Sequence, residues 1–205
     1  MDKSIQAVKV YDKIAQDYNK EFYNHSEYVD EFLDLIPKNG KILDVGCGAG
    51  RDSGYMSSKK FKIIGLDLSQ EMLTIAKQNA PCVEFRLKDI RKLDFCSNSF
   101  DGILASCSLI HIPKKDVPNL IRNFYKILKA EGIIYIALQG GASEEVFIDE
   151  PFKPDEKLFL NVISFDEIKG LLINNGFSII KKYEHKSKSE KELNYTKLYI
   201  IAKRS

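Results

Sequence analysis

The sequence predicts an α/β chain, a doubly wound and mostly parallel seven-stranded sheet with helices on both faces. Three observations predict it. From Lys41 onward, short apolar runs alternate with stretches of helical period, the signature of successive βα units. The first run, Ile42-Leu43-Asp44-Val45, passes directly into Gly46-Cys47-Gly48-Ala49-Gly50. That is a strand, a tight turn free of Cβ atoms, and the start of a helix whose unpaired N–H groups attract an anion. The second run ends in an acid, Asp67, at the roughly 20-residue offset from the loop where such folds place a ribose-binding carboxylate.

Composition limits the options. The 205 residues suit one domain with a full core. With 31 Lys+Arg against 29 Asp+Glu, the net charge of +2 gives no basic field for nucleic acid or an anionic membrane. No segment has the ~20 apolar residues that cross a bilayer, and the N-terminus lacks a signal-peptide core. A soluble cytoplasmic protein is expected. Cys47, Cys82, Cys96 and Cys107 are scattered and read as reduced thiols rather than a disulfide or metal site.

The elements follow in order. Residues 5–22 put Val8, Tyr11, Ala15, Tyr18 and Phe22 on one helical face. Residues 26–35 read as a second helix capped by Ser26 and ending before Pro37. After the glycine loop come a short helix over 53–59, a strand over 61–67 and a helix over 70–79. Strands at 83–87 and 100–107 follow, then a helix over 116–130 closed by Gly132 and a strand over 133–138. Residues 140–162 break the pattern with two glycines, two prolines, acids and aromatics. A loop this long is functional or mobile. Residues 164–175 form a helix with a Ser164/Glu167 capping box and Gly176 at its end. Strands at 178–185 and 195–203 flank a polar turn at 186–191.

The loop form D-x-G-x-G-x-G, Asp44 to Gly50, resembles motif I of the class I S-adenosylmethionine (SAM) dependent methyltransferases. Four further stretches resemble that family: Gly65-Leu66-Asp67-Leu68-Ser69 through Met72, Asp89-Ile90, Phe100-Asp101, and the Lys129 to Ile136 helix end and strand. The opening Tyr11-Asp12 to Tyr18 is similar to the first segment of many small-molecule members. The resemblance implies a Rossmann-like sheet whose last strand is antiparallel, with SAM as methyl donor. It implies SAM contacts at Asp44, Gly46, Cys47, Gly48, Gly50, Arg51, Asp67, Leu68, Met72, Asp89, Ile90 and Ser106. It also implies a single domain over 1–205, in which 1–36 forms a helical cap and 140–163 a substrate lid or insertion.

Tyr11, Tyr18, His111 and Phe147 are the expected acceptor-side residues, with His111 and Tyr18 as candidates for a catalytic role. A packed histidine and plain packing tyrosines are the alternatives. No metal is expected. No N-P-P-Y string follows the fourth strand, where Ser106-Cys107-Ser108-Leu109 stands, and no basic stripe is present. A small-molecule acceptor, no nucleic-acid or membrane partner, and a monomer or weak homodimer are the expectation. Two rivals stay open: a non-catalytic SAM-binding protein, and a nicotinamide oxidoreductase. The latter calls for a third glycine where Arg51 stands.

Overall fold

The computed structural model describes residues 2–186, 193 and 195–205. The expected turn at 186–191 falls, from residue 187 on, outside the described residues. The sheet is built from β1 (Lys41–Val45), β2 (Lys62–Asp67), β3 (Glu84–Leu87), β4 (Phe100–Ser106) and β5 (Leu128–Gly140). A hairpin of β6 (Glu144–Glu150) and β7 (Lys153–Val162) interrupts the chain before β8 (Phe177–Lys186) and β9 (Thr196–Arg204) complete the sheet. The order is β3-β2-β1-β4-β5-β9-β8. Only β9 runs against the rest, antiparallel to both β5 and β8. The expected fold class is therefore the observed one. The strand order reverses between β1 and β4, and a crevice opens beyond their carboxyl ends, where such sheets take ligands.

Among the described residues, the α-helices around the sheet are α1 (Lys3–Glu21), α2 (Val29–Leu33), α3 (Arg51–Ser58), α4 (Gln70–Asn79), α5 (Val117–Ile127) and α6 (Phe165–Asn174). Alternate residues of one strand feed opposite faces. Leu43, Ile64, Ile103 and Ile134 pack toward α5 and α6, while Ile42, Ile63, Leu104 and Ile133 pack toward α2 and α3. Both faces are covered, which is why these strands read as near-continuous apolar runs. Helix starts follow their capping chemistry. Asp2 accepts from the Ser4 N–H at 2.8 Å, Ser69 from Met72 at 3.1 Å, and Ser164 from Glu167 at 3.2 Å.

Three expectations are corrected. The helix expected over 116–130 stops at Ile127, because Leu128 pairs with Phe100 across the sheet. The chain then kinks at Glu131 (φ 62°) before β5 proceeds. Sheet pairing overrides a helical period that runs on in the sequence. Ser26 is not a helix cap. The second helix begins only after Tyr28, which holds a left-handed conformation, and Ser26 instead bonds to Asp52 and Ser106. Residues 140–162 form no irregular loop but the β6–β7 hairpin. Val146 and Ile148 alternate inward, and Leu158, Leu160 and Val162 are fully buried. Flanking acids hide this period in the sequence. The hairpin docks on α1, where the Gln6 amide donates to the Lys157 carbonyl and accepts from the Phe159 N–H. Together α1 and the hairpin roof the crevice.

Candidate active site

The glycine loop is the floor. Gly46, Gly48 and Gly50 all hold positive φ (72°, 50° and 76°), a conformation that other residues rarely adopt. Space distinguishes them. A Cβ on Gly46 would lie 2.4 Å from Ser108 Cβ, and one on Gly50 would lie 2.9 Å from Ala76 Cβ. A Cβ on Gly48 would meet nothing within 4 Å. It would project into the open cradle, so this is where a ligand can lie against bare backbone. The N–H groups of Gly46 and Cys47 both donate to the Leu66 carbonyl (2.7 and 2.9 Å), tying the loop to β2.

A smaller cavity of about 130 Å³ opens beside the loop, lined by Asp67, Leu68, Met72, Asp89 and Ile90 among others. Asp67 ends β2 and accepts from the Gly48 N–H and the Ser69 N–H, each at 2.8 Å. Its two oxygens are thereby aimed, and burial pushes its carboxyl above the usual range. Asp89 is gripped by the Arg91 guanidinium at 2.7–3.1 Å. Burial pushes the Asp89 carboxyl up, but Arg91 outweighs it and holds the group below its ordinary value. The cavity combines two acids, Asp67 and Asp89, with the apolar side chains of Leu68, Met72 and Ile90.

The larger cavity, about 630 Å³, spreads from the loop under α1 and the hairpin. Tyr11, Tyr18, Gly46, Gly48, Ser106 and Cys107 line both cavities, so the two meet at the carboxyl ends of β1 and β4. Cys107 holds φ 53° there, a backbone strain of the sort that collects at functional sites. The Ser106 hydroxyl bonds Ser26 at 2.6 Å, and Ser26 donates its N–H and hydroxyl to Asp52, also at 2.6 Å. His111 lines the smaller cavity, between roof and floor. A backbone carbonyl can only accept, so Nδ1 donates to the Phe159 carbonyl (3.0 Å) and Nε2 accepts the Tyr11 hydroxyl (2.9 Å). Burial lowers the imidazole to about 4, which keeps it neutral at neutral pH.

Some expected residues stand apart from the cavities. Asp44 is buried and accepts the Ser53 hydroxyl at 2.6 Å, lining neither cavity; burial, then Asp52, raise its carboxyl well above the usual range. Phe147 is 52% exposed and also lines neither. The alternation of β6 sends it to the face opposite Val146 and Ile148. Arg51 lines the larger cavity and points its guanidinium at Asn19 of α1, at 2.8 Å, joining loop to cap. Residues without a site role in the sequence reading also enter: Ser26, Asp52, Gln139, Glu150 and Phe152 all line the larger cavity. For Gln139 the available signal was its position at the carboxyl end of the fifth strand. Glu150 and Phe152 were hidden by the unrecognised hairpin.

Comparison with known proteins places this geometry. Residues 42–132 match a family described as a methyltransferase domain. YqeM of Bacillus subtilis (strain 168), a methyltransferase by name, is 30% identical over 158 residues, covering 72% of this chain and 63% of its own. Phosphoethanolamine N-methyltransferase 3 of Arabidopsis thaliana is 41% identical over 115 residues, 54% of this chain and 23% of its own. The chain thus spans less than two thirds of the length of these curated relatives. Among solved structures, the 1,6-didemethyltoxoflavin-N1-methyltransferase of Burkholderia thailandensis, with its namesake substrate and S-adenosylhomocysteine bound, superimposes with a TM-score of 0.73. It is 16% identical, over 98% of this chain and 88% of that one, a likeness of fold. Among the described residues, no helix is long and apolar enough to cross a membrane, and no cluster of His, Cys, Asp or Glu could hold a metal ion.

Proposed function

From the methyltransferase-domain match over residues 42–132, we propose that the chain is a class I SAM-dependent methyltransferase that moves a methyl group from SAM to a small-molecule acceptor. The observation that carries the reading is the meeting of the two cavities at Gly46, Gly48, Ser106 and Cys107. One carries the acids and apolar side chains that a nucleoside calls for, and the other has room for a second molecule.

The residues divide the work. Asp67 takes the ribose hydroxyls, with its oxygens already aimed by Gly48 and Ser69. Leu68, Met72 and Ile90 hold the adenine, and Asp89 stands at its edge. Gly46 to Gly50 carry the methionine end along bare backbone, with Cys47 buried behind them and Arg51 tying the loop to the cap. Asp44 acts from behind, through Ser53 at the start of α3. Ser106 marks where the reacting groups meet. Tyr18 lines both cavities and separates donor from acceptor.

SAM supplies a methyl on a sulfonium, whose departure leaves a neutral thioether. The protein's part is to align, enclose and exclude water. Alignment of two held reactants can lower a barrier by ~7 kcal/mol or more. His111 serves this alignment: its neutral ring pins Tyr11 and the hairpin together, and its proton stays on Nδ1. A base is required only where the acceptor must shed a proton near the transition state.

The test is S-adenosylhomocysteine release from SAM across a panel of small amines, phenols, thiols and carboxylates. Release with at least one of them is expected. SAM-dependent methylation of RNA or protein with none of the small acceptors turning over would contradict the small-molecule reading.

A further inference from the structure

Building on that reading, we propose that the acceptor is an amine, bound as its ammonium form between the Glu150 carboxylate, the Gln139 carbonyl oxygen and the rings of Tyr18, Phe22 and Phe152. All five residues line the larger cavity. Gln139, Phe22, Glu150 and Phe152 take no part in lining the smaller one, whereas Asp67, Leu68, Met72, Asp89 and Ile90 line only the smaller one. The first four therefore belong to the part of the site left over once the nucleoside is placed, and Tyr18 borders both parts.

Three independent features point to a cation that donates hydrogen bonds. The first is charge. Among the described residues, the cavity is lined by the acids Glu21, Glu27, Asp52 and Glu150 against the cations Arg51 and Lys197. A carboxylate or phosphate acceptor would meet an acidic wall in a sheltered space, where like charges repel strongly. Burial also pushes the Asp52 carboxyl up, so a cation beside it would relieve a real cost.

The second feature is the aromatic wall. Tyr18 and Phe22 lie one turn apart on the cap, and Phe152 comes from the hairpin turn. Their ring centroids are 4.7 Å (Tyr18 to Phe22), 5.9 Å (Phe22 to Phe152) and 6.4 Å (Tyr18 to Phe152) apart. Ring faces attract a cation through their quadrupole, and amines and methylated amines are the ligands most often held this way. The hairpin turn that brings Phe152 is built by Glu150 itself. Its Oε2 accepts the N–H groups of Phe152 and Lys153 at 2.7 and 2.8 Å, so carboxylate and ring are placed as one unit.

The third is an orphan acceptor. Gln139, the last residue but one of β5, is 3% exposed, and its Oε1 has no hydrogen-bond partner among the described residues. A buried carbonyl oxygen without a donor is costly. An N–H of a bound ligand would satisfy it, whereas a ring carbon or carboxylate oxygen would not.

The reaction balances. The bound ammonium gives one proton to Glu150 and on to solvent. The freed nitrogen lone pair forms the N–C bond as the S–C bond breaks. The S–C electron pair leaves with sulfur in neutral S-adenosylhomocysteine, and the product departs as a methylated ammonium.

The test is calorimetry on the full chain saturated with S-adenosylhomocysteine at neutral pH, titrated with benzylamine, benzyl alcohol and benzoate. Benzylamine should bind about tenfold tighter than benzyl alcohol, the worth of one charge-assisted bond, and benzoate more weakly than either. Glu150→Gln keeps an oxygen for the hairpin turn. It should abolish the preference for benzylamine over the alcohol, with S-adenosylhomocysteine affinity unchanged. Phe152→Leu keeps an apolar hairpin and should weaken benzylamine about threefold, which supplies a second reading should the first variant not fold. Benzoate or benzyl alcohol binding as tightly as benzylamine, no benzylamine binding at all, or a preference that survives Glu150→Gln would each overturn the amine assignment while leaving the methyl-transfer reading intact. Failure of S-adenosylhomocysteine itself to bind would overturn both.

Discussion

The two cavities that meet at Gly48 share the α1 cap and the end of β4, and differ in their remaining wall. The nucleoside side draws its Gly46–Ile90 wall from one stretch of consecutive βα units, and its atoms are fixed by short local bonds. Examples are Gly48 and Ser69 to Asp67, and Gly46 and Cys47 to Leu66. The acceptor side is gathered from α1, the 22–27 segment, the ends of β4 and β5, and the hairpin. It is joined by bonds that span the chain, such as Ser26 to Asp52 and to Ser106, and Arg51 to Asn19 of α1. The difference teaches where specificity resides. A wall made of backbone and strand ends fixes one ligand. A wall made of a helix and a hairpin can be retuned by side-chain changes without disturbing the sheet.

The largest effect should come from Asp67→Ala. Removing both oriented oxygens strands the Gly48 and Ser69 N–H groups, and SAM affinity should fall about 100-fold. Calorimetry with SAM reads this directly, and unchanged affinity would break the division between the two cavities. Next come paired glycine substitutions. Gly48→Ala fills the open cradle and should lower SAM affinity about tenfold with a small loss of stability. Gly46→Ala drives a Cβ into Ser108 and should instead lower the melting temperature clearly. Thermal unfolding beside SAM titration separates them, and equal effects on both measures would contradict the cradle.

A smaller effect belongs to the acceptor side. Tyr11→Phe removes the hydroxyl that His111 accepts and should raise acceptor KM about threefold while SAM affinity stays within about twofold. An equal loss of SAM affinity would merge the two walls. The smallest is a pH effect. His111 is held near 4 in the folded chain against about 6.5 unfolded. Between those values the unfolded state binds more protons. This contribution to stability is therefore present above about pH 6.5 and lost as pH falls toward 4. Urea midpoints at several pH values should fall less steeply over this window in His111→Asn than in the parent. Parallel slopes would remove His111 as a buried neutral link.

The same contrast explains what the sequence could reveal. The glycine loop and Asp67 were legible because each is encoded by a few adjacent residues with one stereochemical solution. Gly46, Gly48 and Gly50 hold positive φ, and an acid ends β2 at the expected offset. The hairpin was not legible. Glu144, Glu145, Asp149 and Glu150 mask the alternation of Val146 and Ile148, and its stability comes from α1, more than a hundred residues away in sequence. Ser26 followed the rule for a helix cap, but a tertiary partner, Asp52, claimed its hydroxyl. Gln139 is marked only by its place at the carboxyl end of β5, because its role depends on what the crevice leaves unpaired.

The central claim is that the glycine-loop half of the crevice is a SAM site. Calorimetric titration of the purified chain with S-adenosylhomocysteine and, separately, with NAD tests it most directly. One S-adenosylhomocysteine bound per chain, with no heat from NAD, is the predicted result. Saturable NAD binding with no S-adenosylhomocysteine binding would contradict it.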